Sequence, residues 1–127
     1  MMSYTIMLVD DSKTQRAIIK RILGMSEADI SEIIEAENGK DALEKLECLK
    51  VDIIFSDLNM PVMDGEKMVE LIKANDDIKE IPIVIITSKA SDAVRINLEK
   101  LGVVDYMTKP FTPEDICDVL ERLCGGN

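Results

Sequence analysis

The chain has 127 residues, 46% of them hydrophobic and 31% charged, a size and balance that fit one soluble globular domain and exclude a disordered or fibrous protein. Asp and Glu outnumber Lys and Arg by 25 to 15, for a formal net charge of -10, so phosphate backbones and anionic lipid are repelled and cations or basic protein surfaces are the fitting partners. That balance argues against nucleic-acid binding and against binding at a membrane surface.

The first predicted strand runs from Thr5 to Val9 and ends at Asp10-Asp11. No basic region precedes this short apolar run, so a secretory signal is not expected, and the protein reads as cytoplasmic. Ser12 with Gln15 has the spacing of a helix capping box, and Ile18, Ile22 and Met25 form the stripe of a first helix. A second strand is expected over Ile33 to Ala36, followed by a helix striped with Ala42, Leu43, Leu46 and Leu49. The third strand, Val51 to Ser56, leads into Asp57, Leu58 and Asn59. Gly65 supplies backbone freedom for a tight turn before the next helix. The fourth strand, Ile81 to Thr87, is continuously apolar, as strands buried on both faces of a parallel sheet are. Its run from Ile81 to Ile86 is far shorter than the roughly 18 residues of a membrane span. Val94, Leu98 and Leu101 mark the fourth helix, with Gly102 where a C-cap glycine belongs. The fifth strand, Val103 to Thr108, ends at Lys109-Pro110. Thr112-Pro113 then reads as N-cap and N1 of a helix carrying Ile116, Val119, Leu120 and Leu123.

Five βα units with right-handed crossovers predict an α/β fold, a doubly wound five-stranded parallel sheet, with residues 1–127 as a single domain and no output domain. Cys48, Cys117 and Cys124 form no C-x-x-C pair, and with no histidine in the chain a zinc site or a Ser-His or Cys-His nucleophile is excluded, which leaves free structural thiols.

Ligands of open α/β sheets sit outside the carboxyl ends of the strands. Asp10-Asp11, Asp57, Thr87 and Lys109 all follow strands at that rim. Three carboxylates crowded together raise one another's pKa unless a cation lies among them, and Mg²⁺ suits a hard-oxygen set that leaves room for water and a phosphate oxygen. A carboxylate such as Asp57 can attack phosphorus when a metal and an ammonium neutralise the developing charge, and Lys109 supplies the ammonium. Taken singly, acidic residues at strand ends are ordinary loop residues or N-caps; their joint placement carries the reading.

LVDDSKTQR, FSDLNMPVMDG, VIITSK and GVVDYMTKPF, spread over essentially the whole chain, resemble the CheY-like receiver domains of bacterial two-component response regulators. The resemblance implies a CheY-like, flavodoxin-like (βα)5 fold with strand order 2-1-3-4-5. It implies Asp57 as phosphoacceptor, and Mg²⁺ held by Asp10, Asp11, Asp57 and the backbone carbonyl of Asn59. Thr87 and Lys109 would bind phosphoryl oxygens, Asn59 and Lys89 would tune the phosphoryl lifetime, and Lys109-Pro110 would be a cis peptide. Tyr106 matches the aromatic switch coupled to Thr87, although a tyrosine there also suits a half-buried strand. Met60 and Met63 read as flexible packing beside the acceptor. The implied role is that of a stand-alone, monomeric response regulator. It would receive its phosphoryl group from a CheA-like sensor histidine kinase, be reset by itself or a phosphatase, and bind a flagellar motor switch protein or other effector through the fourth helix, fifth strand and fifth helix. The alternative is a phosphorelay intermediate that passes phosphate to a histidine phosphotransfer protein. Two other tenants of such folds fit poorly: dehalogenase-type phosphohydrolases place a D-x-D motif after the first strand, and the acidic, glycine-free DDSKTQ loop would repel the phosphate of FMN.

Overall fold

The computed structural model describes residues 3–88 and 90–124. Among these, strands β1 (Tyr4–Val9), β2 (Ile30–Ala36), β3 (Ile53–Ser56), β4 (Ile83–Thr87) and β5 (Asp105–Thr108) alternate with helices α1 (Lys13–Gly24), α2 (Gly39–Leu46), α3 (Gly65–Lys73), α4 (Asp92–Leu101) and α5 (Pro113–Cys124). The strands form one sheet in the order β2-β1-β3-β4-β5, and every neighbouring pair is parallel. The expected doubly wound sheet and its strand order are therefore present.

Successive side chains of a strand point to opposite faces, so each central strand feeds two cores. Met7, Val9, Ile54, Ile83 and Ile85 pack with Ala42, Leu46, Met68, Val69, Ile72 and Leu98 from α2, α3 and α4. Ile6, Leu8, Ile53, Phe55, Val84 and Ile86 pack on the other face with Ile19, Ile22, Leu23, Ile116, Val119 and Leu120 from α1 and α5. Each such side chain contributes about 1.5–3 kcal/mol on burial, which is why the continuously apolar runs occupy the middle of the sheet.

The helix ends follow local chemistry. Ser12 caps α1 by accepting from the Gln15 amide at 3.1 Å, but the returning half of the expected box is made by Asp10, whose Oδ1 accepts from the Ser12 amide at 2.8 Å. Thr112 and Asp115 form a complete reciprocal pair before α5, with bonds of 3.1 and 2.9 Å. Gly102 ends α4 in the left-handed region at φ 91°, and the Val103 amide bonds back to Leu98, which draws Val103 into the helix cap and delays β5 to Asp105.

Three sequence expectations need correction. The inward stripe of α1 is Ile19, Ile22 and Leu23; Ile18 and Met25 are exposed and line a groove between α1 and Pro110, Phe111 and Pro113. Leu49 lies beyond α2 and is exposed. Gly65 does not have a positive φ; it is glycine because a Cβ there would overlap the Asp57 carbonyl oxygen and come within 2.9 Å of Leu58 Cα. The Lys109–Pro110 peptide is cis, and Cys48, Cys117 and Cys124 are free. No helix among the described residues is long and apolar enough to cross a membrane.

Candidate functional site

Parallel register brings the strand ends to one edge. Val9 pairs with Ser56, and Thr87 pairs with Thr108, so the residues that follow these strands emerge side by side. The Asp57 amide donates to Val9 O at 2.9 Å, the Asp10 amide to Ala36 O at 3.1 Å, and the Lys109 amide to Thr87 O at 2.7 Å. Each functional residue is thus still tied by its backbone to the neighbouring strand, and its side chain starts from a fixed point.

One carboxylate oxygen from each of Asp10, Asp11 and Asp57 can be chosen so that all three lie within 4.8 Å of one another. Asp10 is buried, Asp57 half-buried and Asp11 exposed, so the cluster grades from the protein interior to solvent. The Lys109 ammonium lies 3.4 Å from Asp57 Oδ2 and 3.7 Å from Asp10 Oδ2. Asp57 Oδ1 is turned the other way, accepting from the Leu58 amide at 2.7 Å, which leaves Oδ2 facing the lysine and the cluster.

Burial pushes the Asp10 carboxyl above its usual range; the Ser12 amide opposes this, the Asp57 charge adds to it, Lys109 opposes it, and Asp11 adds again. Among the described residues the three carboxylates share one neighbouring ammonium, so a divalent cation would relieve repulsion left standing there. The donors are all hard oxygens and one side of the cluster is open at Asp11, which matches a Mg²⁺ ion that retains water.

Asp10 is itself held from behind. The Arg16 guanidinium, buried at 9% exposure, donates through Nη1 to the Asp10 carbonyl and through Nε to Glu35 Oε1 at 2.9 Å. The sequence singled out Arg16 only as part of a motif, because the pairing with Glu35 joins α1 to β2 across a gap that helical or strand periodicity does not reveal.

The remaining expected residues fall at different distances from the chemistry. Thr87 is fully buried at the end of β4, and its Oγ1 has no hydrogen-bond partner among the described residues. Asn59 is exposed, with its amide 3.4 Å from Asp57 Oδ1. Tyr106 is half-buried on β5, packed against the α2–α3–α4 core, with its partner Ile85 two residues before Thr87. Met60 and Met63 pack on the same core as partly buried residues. Lys89 lies outside the described residues.

An acidic trio and a lysine at the carboxyl edge of a 2-1-3-4-5 sheet define the receiver class of signalling proteins, and the family model described as response regulator receiver domain matches residues 6–121. The chain belongs to this family. It is 40% identical over 123 residues to the chemotaxis protein CheY1 of Helicobacter pylori, covering 96% of this chain and 98% of that protein. Among solved structures, the chemotaxis response regulator CheY4 of Vibrio cholerae superposes with a TM-score of 0.83 at 30% identity, over 96% of this chain and 99% of that one. The receiver domain of the Pseudomonas aeruginosa sensor histidine kinase PA1611, whose structure has a magnesium ion coordinated in its active site cleft, matches with a TM-score of 0.81 at 26% identity, over 98% and 99%. The chain is a CheY-like phosphoacceptor response regulator, a signalling protein rather than a conventional enzyme.

Proposed function

We propose that this receiver accepts a phosphoryl group on Asp57 from a sensor histidine kinase, with Mg²⁺ held by Asp10, Asp11, Asp57 and the Asn59 carbonyl. The reading is carried by one observation: Asp57 Oδ2 faces the Lys109 ammonium at 3.4 Å inside the carboxylate trio. An oxygen of Asp57 attacks the phosphorus of a phosphohistidine, the phosphorus–nitrogen bond breaks, and the imidazole leaves with the electron pair and takes up a proton. The product is an aspartyl phosphate. Bound Mg²⁺ supplies positive charge to the phosphoryl oxygens during transfer. Lys109 donates to one of those oxygens, and its present contacts with Asp57 and Asp10 keep it poised. Asp10 holds its position through the Ser12 amide and the Arg16 guanidinium.

Thr87 reports the event. A buried hydroxyl with no partner among the described residues gains a hydrogen bond by turning toward a phosphoryl oxygen, so phosphorylation favours the packing in which Thr87 has moved and the Tyr106 ring turns inward. The surface made by α4, β5 and α5 then changes shape for an effector. Asn59 and Lys89 set the lifetime of the aspartyl phosphate, which is ended by hydrolysis within the site or by a phosphatase.

Likeness to chemotaxis proteins over nearly their whole length supports a role as a single cytoplasmic receiver module, phosphorylated by a CheA-like kinase and acting on the flagellar motor switch. The test is to load the protein with Mg²⁺ and a small-molecule phosphodonor and measure binding to a motor switch protein. Tighter binding by the loaded form supports this role. Loss of the phosphoryl group to a histidine phosphotransfer protein, with no binding to the switch, would assign the relay role instead.

A further inference from the structure

On the face formed by α4 and β5, the Arg95 guanidinium carbon lies 5.3 Å from the centroid of the Tyr106 ring. Arg95 is oriented from its own helix by Glu99, one turn on, at 3.8 Å. The helix is in turn pinned to α3 by the Asn97 amide, which donates to Glu66 Oε2 at 2.8 Å. The cation is therefore presented to the ring from a fixed support. A guanidinium over an aromatic face is attracted by the ring quadrupole, most strongly where both are partly shielded from water. Tyr106 is half-buried, and burial raises its phenol pKa while the Arg95 charge lowers it, so the two groups sense each other.

We infer that Arg95 is a positioning residue of the switch, a latch that holds the Tyr106 ring in the half-buried packing seen here, so that turning further inward requires the ring to leave the guanidinium. The inference rests on the reading that Thr87 and Tyr106 transmit the state of Asp57. It goes further by making Arg95 the residue that sets how rarely the unphosphorylated protein visits the active packing. A latch of this kind does not touch the phosphoryl group. It acts on the population that is competent for phosphorylation, and its removal raises that population by roughly two- to fivefold at an exposed site.

The test is a double-mutant cycle on the rate of phosphorylation by acetyl phosphate with Mg²⁺, followed by intact mass. Arg95→Met keeps an unbranched chain and removes the cation; it is expected to be phosphorylated two- to fivefold faster than the parent, with Arg95→Lys in between. In a Tyr106→Ala background the same Arg95→Met change should have no effect, because the ring it releases is gone. As Tyr4 is the only other tyrosine, ¹⁹F spectra of 3-fluorotyrosine protein report Tyr106 directly, and the Arg95→Met signal should lie closer to the phosphorylated position before any donor is added. Equal rates for parent and Arg95→Met, or an unchanged rate effect of Arg95→Met without Tyr106, overturns the latch while leaving phosphorylation at Asp57 intact. A parent that takes up no phosphoryl group removes the proposed function and the latch with it.

Discussion

Lys109 bridges Asp57 and Asp10, with its ammonium 3.4 Å from one carboxylate and 3.7 Å from the other. The lysine therefore partly occupies the electrostatic place that a divalent cation would take, and it competes with that cation for the same oxygens. Lys109→Met should bind Mg²⁺ about three- to tenfold more tightly than the parent in a titration at fixed ionic strength, while phosphorylation slows. Weaker Mg²⁺ binding by the variant would mean that the lysine orders the carboxylates more than it neutralises them.

Thr87 and Asp57 are related by a missing contact. The threonine hydroxyl is fully buried with no partner among the described residues, a state that costs about 1–3 kcal/mol. Thr87→Val replaces the hydroxyl by a methyl group of similar shape. Unphosphorylated Thr87→Val should be more stable than the parent by roughly 1 kcal/mol in urea unfolding, and its Tyr106 signal should no longer respond to phosphodonor. A less stable variant would show that the hydroxyl has a partner in solution.

The carboxyl-edge trio could be read from the sequence because β1, β3 and β4 are buried on both faces, so their ends are marked by an abrupt change from apolar to acidic residues at Asp10 and Asp57 and to hydroxyls at Thr87. The inward face of α1 could not. Ile18, Ile19, Ile22, Leu23 and Met25 offer more than one apolar stripe, and only packing against Phe55 and Ile116 selects Ile19, Ile22 and Leu23. Edge strand β2 was underestimated for a related reason: Ser31 and Glu32 are exposed, and the strand starts with a register shift opposite Tyr4 and Thr5. The contacts of Arg16 with Glu35 and of Arg95 with Tyr106 join different elements, and no local pattern announces them.

Glu35 is the acceptor for Arg16 and for Lys20, at 2.9 and 3.1 Å, and the Arg16 bond chiefly holds its carboxyl below the usual glutamate range against the opposing effect of burial. A folded-state pKa below the unfolded one contributes stability that is present above the unfolded value and lost as pH falls through the folded value. The stability difference between parent and Glu35→Gln should be constant from about pH 6 to 8 and shrink below about pH 4. A difference that does not change with pH would show that the ion pair does not stabilise the fold.

Val62 has φ 68° and is 76% exposed, in a three-residue turn closed by the Met63 amide donating to Pro61 O at 2.7 Å. A β-branched residue is strained there, and glycine is not. Val62→Gly should gain about 1 kcal/mol, the strain relieved less the added chain entropy, and raise the Tm by about 4 °C. A lower Tm would place the cost of glycine in the unfolded chain above the strain it removes.

Every step of the switch depends on Asp57 as phosphoacceptor, and intact-mass analysis after incubation with Mg²⁺ and acetyl phosphate measures its phosphorylation. The parent should gain one phosphoryl group that survives acid and is lost in base, and Asp57→Asn should gain none. Labelling of Asp57→Asn to the same extent as the parent would contradict the assignment.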